Sequence, residues 1–320
     1  MRICFVVHRY APYPGGSEYN VQRMAEECKR RGHDVIVLTG DHQGDFNGVR
    51  VSSNPQECLD AELVVIHGGD VGVQNFVLQN IKNLPGKVLY LLIKPSESPI
   101  CIQGLKDAHY IGCTTPEDWE HVKKWGVENK SYTVNYGLEL EKFIGTKGLF
   151  KEKYNIPKNK RMFLSCGGYW PNKKMIELVT AFKTANLDDA VLVTTGYDNR
   201  FNLMPESSEN IIPLMVEDIA DIPNAMADAD CYIMNSSEEG FGLVLLEAMI
   251  NKTPWISRNI AGAKLMSQYG MTYDTEEQLV EILKTWRNRS VDAAYEYVLK
   301  NHHIKTTVDS IENIVKSQQF

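Results

Sequence analysis

Short apolar segments alternate with amphipathic ones along nearly the whole chain, and this alternation restricts the possible folds more than any other feature of the sequence. Residues 3–8 form an apolar run rich in β-favouring side chains, residues 19–31 carry apolar side chains at helical spacing, and residues 35–38 are apolar again. Ser17 is a suitable N-cap for the helix, and Gly32 is suited to end it. A strand, a helix and a second, parallel strand form the repeating unit of a doubly wound sheet.

The same alternation begins again after a polar stretch at residues 142–160. Further strands are predicted at residues 63–67, 88–93, 108–113, 131–135, 162–166, 190–195, 211–213, 231–235 and 253–257. Further helices are predicted at residues 118–125, 175–185, 221–227, 241–249, 276–289, 291–301 and 306–317. We therefore predict an α/β chain with two Rossmann-like, doubly wound domains that face a central cleft. The first domain is expected over residues 1–146 and the second over residues 147–303.

Composition excludes several classes of protein. The chain has 320 residues, 43% of them hydrophobic, which is enough for two cores. No apolar run approaches the ~20 residues of a membrane helix. The formal net charge of -7 disfavours general nucleic-acid binding, which depends on an excess of Lys and Arg. Seven scattered cysteines without a C-x-x-C pair argue against disulfides and a zinc site, so we expect a reducing, cytoplasmic environment.

Two acidic residues, Glu239 and Glu247, bracket a glycine-rich turn between a predicted strand and a predicted helix. Gly240 and Gly242 allow the backbone to approach a ligand closely. The N–H groups and the positive dipole end at the start of the helix suit a diphosphate. Glu239 lies at the carboxyl end of a strand, where ligands bind in open α/β sheets, and Glu247 can accept hydrogen bonds from a ribose diol.

The turn, with the sequence EGFGLVLLEAM, resembles the signature of family-4 glycosyltransferases. Four other segments resemble motifs of the same family in order and spacing: residues 13–18, 135–139, 171–174 and 229–236. The resemblance implies a GT-B fold, a nucleotide-sugar donor with UDP-sugars favoured, and transfer with retention and without a metal or other cofactor. It also implies that the helix at residues 304–320 leaves the second domain and packs back on the first, an expectation that fits its one-sided apolar stripe.

The resemblance and the residue chemistry together give a set of candidate site residues. Lys173 suits a point-charge contact to phosphate, Gly15 and Gly16 precede a helix start, and His8 and His67 end predicted strands. The predicted catalytic residues are Glu239, Lys173 and His67. The predicted donor-binding residues are Gly15, Gly16, Gly167, Lys173, Tyr197, Met215, Glu239, Gly240, Phe241, Gly242, Leu243, Val244 and Glu247.

The sequence departs from the family at two places. Gly168 stands where the family has a phosphate-binding Arg, so Lys173, Arg258 or another residue is expected to compensate. The family's histidine in the first domain has no counterpart in residues 93–97. Asp228 and Asp230 form a D-x-D pair at a helix-to-strand junction, which we interpret as structural, so no metal is predicted.

The sequence restricts the identity of the acceptor and the type of reaction less than it restricts the donor. The first domain has no strong basic amphipathic patch, which favours a soluble acceptor. Similarity of residues 8–18 and 166–171 to tailed-phage glycosyltransferases leaves transfer to a hydroxymethylated DNA base as an alternative. A nucleotide-sugar 2-epimerase and a noncatalytic nucleotide-sugar-binding protein also stay open, and the sequence leaves the oligomeric state undefined.

Overall fold

The computed structural model of the chain describes residues 1–13, 15–93, 96–216 and 218–316. The strands are β1 Arg2–Val6, β2 Asp34–Leu38, β3 Gly44–Phe46, β4 Val49–Ser52, β5 Leu63–His67, β6 Lys87–Leu91, β7 Tyr110–Cys113, β8 Ser131–Thr133, β9 Arg161–Cys166, β10 Ala190–Gly196, β11 Ile211–Met215, β12 Cys231–Met234, β13 Trp255–Arg258 and β14 Met271–Tyr273. The helices are α1 Gly16–Arg30, α2 Val73–Gln79, α3 Pro99–Asp107, α4 Pro116–Trp125, α5 Leu149–Lys153, α6 Met175–Ala185, α7 Asp221–Asp228, α8 Leu243–Ile250, α9 Ala261–Leu265, α10 Glu276–Thr285, α11 Asp292–Asn301 and α12 Ile304–Lys316.

The chain forms two compact units. Unit 1 comprises Met1–Leu138 and the segment from His302 onward, and unit 2 comprises Glu139–Asn301. The sheet of unit 1 has the order β3-β4-β2-β1-β5-β6-β7-β8, and the sheet of unit 2 has the order β11-β10-β9-β12-β13-β14. Each is a largely parallel sheet wound outward in both directions from a central strand, so the predicted pair of Rossmann-like domains is confirmed.

Strand β3 is antiparallel to β4, and this hairpin at the sheet edge was not predicted. Its turn is Asn47-Gly48, with positive φ angles of 51° and 76° at these two residues. That dipeptide favours a two-residue hairpin because both residues tolerate the left-handed region. The prediction that Ser17 caps α1 was wrong, since the helix begins at Gly16 after an extended Gly15 that has no side chain to cap it.

The division between the units lies at Leu138, eight residues before the boundary expected at residue 146. Residues 139–146 belong to unit 2 because their backbone is held there. The amide of Asn251 donates to the carbonyl of Phe143 at 2.6 Å, and its oxygen accepts from the backbone N–H of Gly145 at 2.8 Å. The return into unit 1 precedes residue 304, since His302 O accepts from Leu138 N at 2.9 Å.

Helix α12 packs against α1 within unit 1, as expected from the resemblance. The apolar stripe of α12 is buried: Ile304, Val308, Ile311, Ile314 and Val315. Arg31 directly follows α1 and binds the polar face of α12. Its guanidinium donates charged hydrogen bonds to Asp309 at 2.7 Å and to Glu312 at 3.3 Å. Among the described residues, no helix is long and apolar enough to cross a bilayer.

Glu312 makes the docking of α12 sensitive to pH. Burial alone would raise the pKa of its carboxyl, but hydrogen bonds from His33 and Lys316 and the charge of Arg31 lower it below its ordinary value. A lowered folded-state pKa adds stability that is complete above the ordinary value and disappears as the pH falls through the folded value. We expect Glu312→Gln to lower the free energy of unfolding by about 1 kcal/mol or less near neutral pH, and to have no effect in acid. Urea unfolding at both pH values tests this, and a pH-independent difference would contradict it.

Candidate functional site

The strand order of unit 2 reverses between β9 and β12. Strand β9 pairs with β10 on one side and with β12 on the other, all in parallel. In open parallel sheets, ligands bind outside the carboxyl ends of the strands at such a point. The loops that leave β9 and β12 carry two of the three predicted catalytic residues, Lys173 and Glu239.

The structure brings these two side chains into contact. Lys173 Nζ donates to Glu239 Oε1 at 2.5 Å, and Ser236 Oγ donates to the same oxygen at 2.6 Å. The Lys173 and Glu239 side chains are 18% and 16% exposed, so the pair is shielded but reachable. Lys173 and Ser236 thus fix the Glu239 carboxylate beside the point where the strand order of unit 2 reverses. We call this point the switch point of unit 2. Sequence reasoning did not identify Ser236.

Lys173 reaches this position through an unusual backbone turn. It ends a short 3₁₀ turn, Pro171–Lys173, and Lys174 then adopts a left-handed conformation with φ of 53° before α6 begins. The side-chain amide of Asn235 donates to Lys174 O at 2.7 Å and ties this turn to the end of β12. Gly167, with φ of 146°, leaves room for the aliphatic part of Lys173, which would lie 3.3 Å from a Cβ at that position.

Helix α8 begins at Leu243, two residues later than predicted. Gly242 precedes it in the left-handed conformation, with φ of 86°. Phe241 is therefore in the loop rather than in the helix; its side chain is buried, and its carbonyl accepts from Gly262 N at 3.0 Å. The first N–H groups of a helix lack partners within it, so Leu243 and Val244 are the residues whose backbone suits an anion at this end of α8.

Glu247 and Glu239 both lie near the end of β9. Burial raises the pKa of the Cys166 thiol to about 12, and the negative charges of Glu247 and Glu239 add to the increase, while the charge of Lys173 opposes it. Cys166 is the last residue of β9. The three charged groups that the sequence singled out therefore all act on the thiol at the end of β9.

Tyr197 and Met215 lie at the carboxyl ends of β10 and β11, farther along the same edge. Tyr169 OH lies 3.0 Å from the carbonyl of Thr194 and 3.0 Å from that of Leu214, so its single proton is shared between the two strand ends. Met215 is 43% exposed, which leaves its side chain available to a ligand.

Arg258 is held by other groups. Its Nε donates to Asn235 O at 3.2 Å, and its Nη2 pairs with the carboxylate of Glu276. Tyr273 OH donates to Asn235 Oδ1 in the same network. Through these contacts Arg258 and Asn235 hold the loop after β12, and a phosphate contact by Arg258 stays a prediction.

Gly15, Gly16 and His67 belong to unit 1. Gly15 and Gly16 lie at the start of α1, the helix that follows β1, and His67 ends the neighbouring strand β5, where that sheet also reverses. A Cβ at Gly15 would collide with the Glu18 carboxylate, whereas one at Gly16 would meet only open space. His67 is 3% exposed and stacks on Tyr136 with 6.0 Å between ring centroids. Burial lowers the pKa of His67 to about 3, so this imidazole stays neutral at physiological pH. His8 is exposed.

Asp228 and Asp230 bind backbone groups, as the structural interpretation of this pair requires. Asp228 accepts from the N–H groups of Gly148 and Lys151, and Asp230 accepts from Met162 N at 2.8 Å. Over residues 1–13, 15–93, 96–216 and 218–316, no cluster of three or more His, Cys, Asp or Glu side chains could hold a metal ion.

Comparisons with known structures define the class of fold. The chain is similar to sucrose-phosphate synthase from Thermosynechococcus elongatus, with a TM-score of 0.80, 15% identity, and coverage of 99% of this chain and 98% of that one. It is also similar to Anabaena HepE in complex with UDP and glucose, with a TM-score of 0.77, 15% identity, and coverage of 99% and 100%. The fold is therefore the GT-B fold of two Rossmann-like domains.

The family profile described as "Glycosyl transferases group 1" matches residues 146–269. This chain therefore contains a glycosyl transferases group 1 domain, and the resemblance inferred from the motifs is confirmed over that segment. A curated relative is the Escherichia coli UDP-Gal:alpha-D-GlcNAc-diphosphoundecaprenol alpha-1,3-galactosyltransferase, 30% identical over 145 residues. Another is the N-acetyl-alpha-D-glucosaminyl L-malate synthase of Bacillus anthracis, 28% identical over 130 residues. The matches cover 42% and 38% of this chain, but only 38% and 33% of the relatives' lengths.

Proposed function

We propose that this chain transfers a sugar from a nucleoside-diphosphate sugar to an acceptor hydroxyl, with retention of the anomeric configuration and without a metal ion. The observation that carries the proposal is the Lys173–Glu239 ion pair at the switch point of unit 2, beside the first turn of α8. A lysine and helix N–H groups suit a diphosphate. A carboxylate fixed by Lys173 and Ser236 can accept hydrogen bonds from sugar hydroxyls.

The comparisons favour UDP-sugars as donors. The name of the E. coli relative specifies UDP-Gal, and HepE structures are described with UDP, with UDP and glucose and with UDP-glucose. In this chain, Glu247 would bind the ribose, and Tyr197 and Met215 would contact the base at the ends of β10 and β11. Gly167 and residues Gly240–Val244 would provide close backbone approach to the diphosphate and the sugar.

In the proposed reaction, the bond between the anomeric carbon and the diphosphate oxygen breaks, and the acceptor oxygen bonds to the same carbon. The acceptor proton passes to the departing diphosphate, so no separate base is needed. Lys173 and the N–H groups of α8 stabilise the negative charge that develops on the leaving group. We propose that neutral, buried His67 supports the loop after β5 rather than transferring a proton.

Product analysis with isotopically labelled UDP-glucose and UDP-galactose tests the function, using a panel of free saccharides and a hydroxymethylated DNA duplex as acceptors, with and without EDTA. We expect a glycosylated product whose new bond has the anomeric configuration of the donor, in equal yield with EDTA. Epimerised donor, binding without turnover, or glycosylated DNA would each favour one of the alternatives. Loss of activity with EDTA would contradict metal independence.

Glu247→Ala is expected to weaken UDP binding by about 1–3 kcal/mol, because the ribose hydroxyls would lose a charged acceptor in a shielded site. Isothermal titration with UDP measures the effect. Glu281→Ala is the matched control, since Glu281 is an exposed acidic residue on α10, outside the proposed site. An unchanged Kd in Glu247→Ala would remove Glu247 from the donor site.

A further inference from the structure

An open depression of about 480 Å³ lies on unit 2 beside the switch-point residues. Its apolar part is formed by Trp170, Pro171 and Phe201, and its polar edge by Asn172, Lys174, Ser237 and Glu238. The volume falls in the range of small-molecule clefts, about 300–1,000 Å³. We call this surface the aromatic shelf.

The shelf is built on the same two loops as the Lys173–Glu239 pair. Ser237 N donates to Asn172 O at 2.8 Å, which joins the loop after β12 to the loop after β9. Lys173 directly follows Asn172, and Glu239 directly follows Glu238. A molecule on the shelf would therefore lie next to the proposed reaction centre.

Of the two aromatic side chains, Trp170 is held in place and Phe201 is exposed. Phe201 is 54% exposed, although it is a large apolar residue. The indole of Trp170 is held by a hydrogen bond from Nε1 to Asp198 Oδ2 at 3.2 Å, and it packs edge to face on Tyr197. A pre-positioned ring loses little conformational entropy when a flat ligand stacks on it.

Gly168 makes the position of Trp170 possible. A Cβ at residue 168 would lie 2.8 Å from Cε2 and from Nε1 of the Trp170 indole, too close for any side chain. Glycine at residue 168 therefore leaves the space that the Trp170 indole occupies.

The charges around the shelf disfavour an anionic occupant. Lys174 pairs with Glu177 at 3.0 Å, and Arg200 pairs with Asp198 at 2.6 Å. Glu238 adds a further carboxylate at the edge. With no excess of positive charge, the shelf does not suit a nucleic-acid backbone or a phosphorylated lipid. Aromatic faces next to amide, hydroxyl and carboxylate groups suit a neutral, hydroxyl-rich ring.

We propose that the aromatic shelf binds a neutral saccharide, whose C–H face stacks on Trp170 and Phe201 and whose hydroxyls reach Asn172, Ser237 and Glu238. Resting on the proposed function, this assigns the acceptor to the class of glycans and glycosides rather than DNA. The saccharide on the shelf is the part of the acceptor that is already glycosylated, and it directs a hydroxyl toward the donor.

The test uses the full chain labelled with ¹⁵N at tryptophan, with the Trp170 indole signal assigned by Trp170→Phe. The probes are cellobiose, N,N′-diacetylchitobiose, UDP, and a single-stranded oligonucleotide that contains 5-hydroxymethylcytosine. We expect at least one disaccharide to shift the Trp170 signal at millimolar concentration. Phe201→Ala should weaken that binding about tenfold, as one stacking partner is lost. Ile176→Ala is the matched control, because Ile176 is an exposed apolar residue of unit 2 on α6, outside the shelf.

Each of the remaining outcomes overturns either this proposal or the proposed function. No shift with either disaccharide would exclude a saccharide, and a shift with the oligonucleotide alone would favour DNA. Weaker UDP binding in Phe201→Ala would assign the shelf to the nucleobase. UDP binding by the wild type is measured in parallel, so the two hypotheses fail separately. Saccharide binding without UDP binding would refute only the transferase, and UDP-sugar turnover without saccharide binding would refute only the shelf.

Discussion

Lys173→Ala is expected to lower the rate of sugar transfer by about 10²–10³-fold, the usual cost of removing one preorganised charge-stabilising group from an active site. The variant leaves the Glu239 carboxylate with Ser236 as its remaining donor at the switch point in the contacts described above. The negative charge of the leaving diphosphate then depends on backbone N–H groups, chiefly those of α8. Turnover of UDP-glucose at saturating acceptor and the Kd for UDP are the two measurements.

Lys183→Ala provides the matched control for this prediction, because Lys183 is an exposed lysine on α6 that lies outside the proposed site. It should behave as the wild type in both measurements. We expect Lys173→Ala to reduce turnover more than it weakens UDP binding, since charge on the diphosphate increases as the bond breaks. Wild-type turnover in Lys173→Ala would exclude Lys173 from catalysis.

Deleting residues 304–320 is expected to prevent unit 1 from folding. Helix α12 buries five aliphatic side chains against unit 1. At about 1.5–3 kcal/mol for each fully buried side chain, their loss is comparable to the typical stability of a whole domain, about 5–15 kcal/mol. Arg31 would also lose its partners Asp309 and Glu312. Limited proteolysis and circular dichroism should show a protected fragment that begins near residue 139 and a degraded N-terminal half.

Two comparisons make the deletion informative. Unit 2 contains none of the α12 contacts described, so UDP binding to the truncated chain should persist. Arg31→Ala keeps the apolar stripe of α12, so it should lower the stability of unit 1 less than the deletion does. A truncated chain with the urea midpoint of the wild type would show that α12 is dispensable.

The architecture was predictable because buried parallel strands have a strong local signal. Strands such as β5 and β9 are nearly continuous apolar runs, and their bounds agree with the predicted ones to within one residue. Helix α6 was predicted with its observed bounds, since its apolar positions recur at helical spacing. The glycine-rich turn before α8 was recognised because its residue types are restricted by backbone geometry.

Features that depend on contacts between distant segments were not predictable in the same way. The hydrogen bond from the Asn235 side-chain amide to the Lys174 carbonyl joins residues that are 61 positions apart in the sequence. The interior position of His67 depends on packing against Tyr136, on which its ring stacks. The β3–β4 hairpin is different, because Asn47-Gly48 between two short β-favouring segments was a local signal that the sequence analysis missed.

The chain leaves unit 1 after Leu138 and returns to it at His302, and this order has a consequence for synthesis on the ribosome. Unit 1 is encoded in two pieces separated by 163 residues (301 − 138). Domains emerge from the ribosome in chain order and tend to fold as units. Unit 2 is complete while unit 1 still lacks α12, so the N-terminal half waits with an uncovered apolar face although it was made first. We therefore expect chaperones to bind the nascent N-terminal half of this chain until α12 emerges.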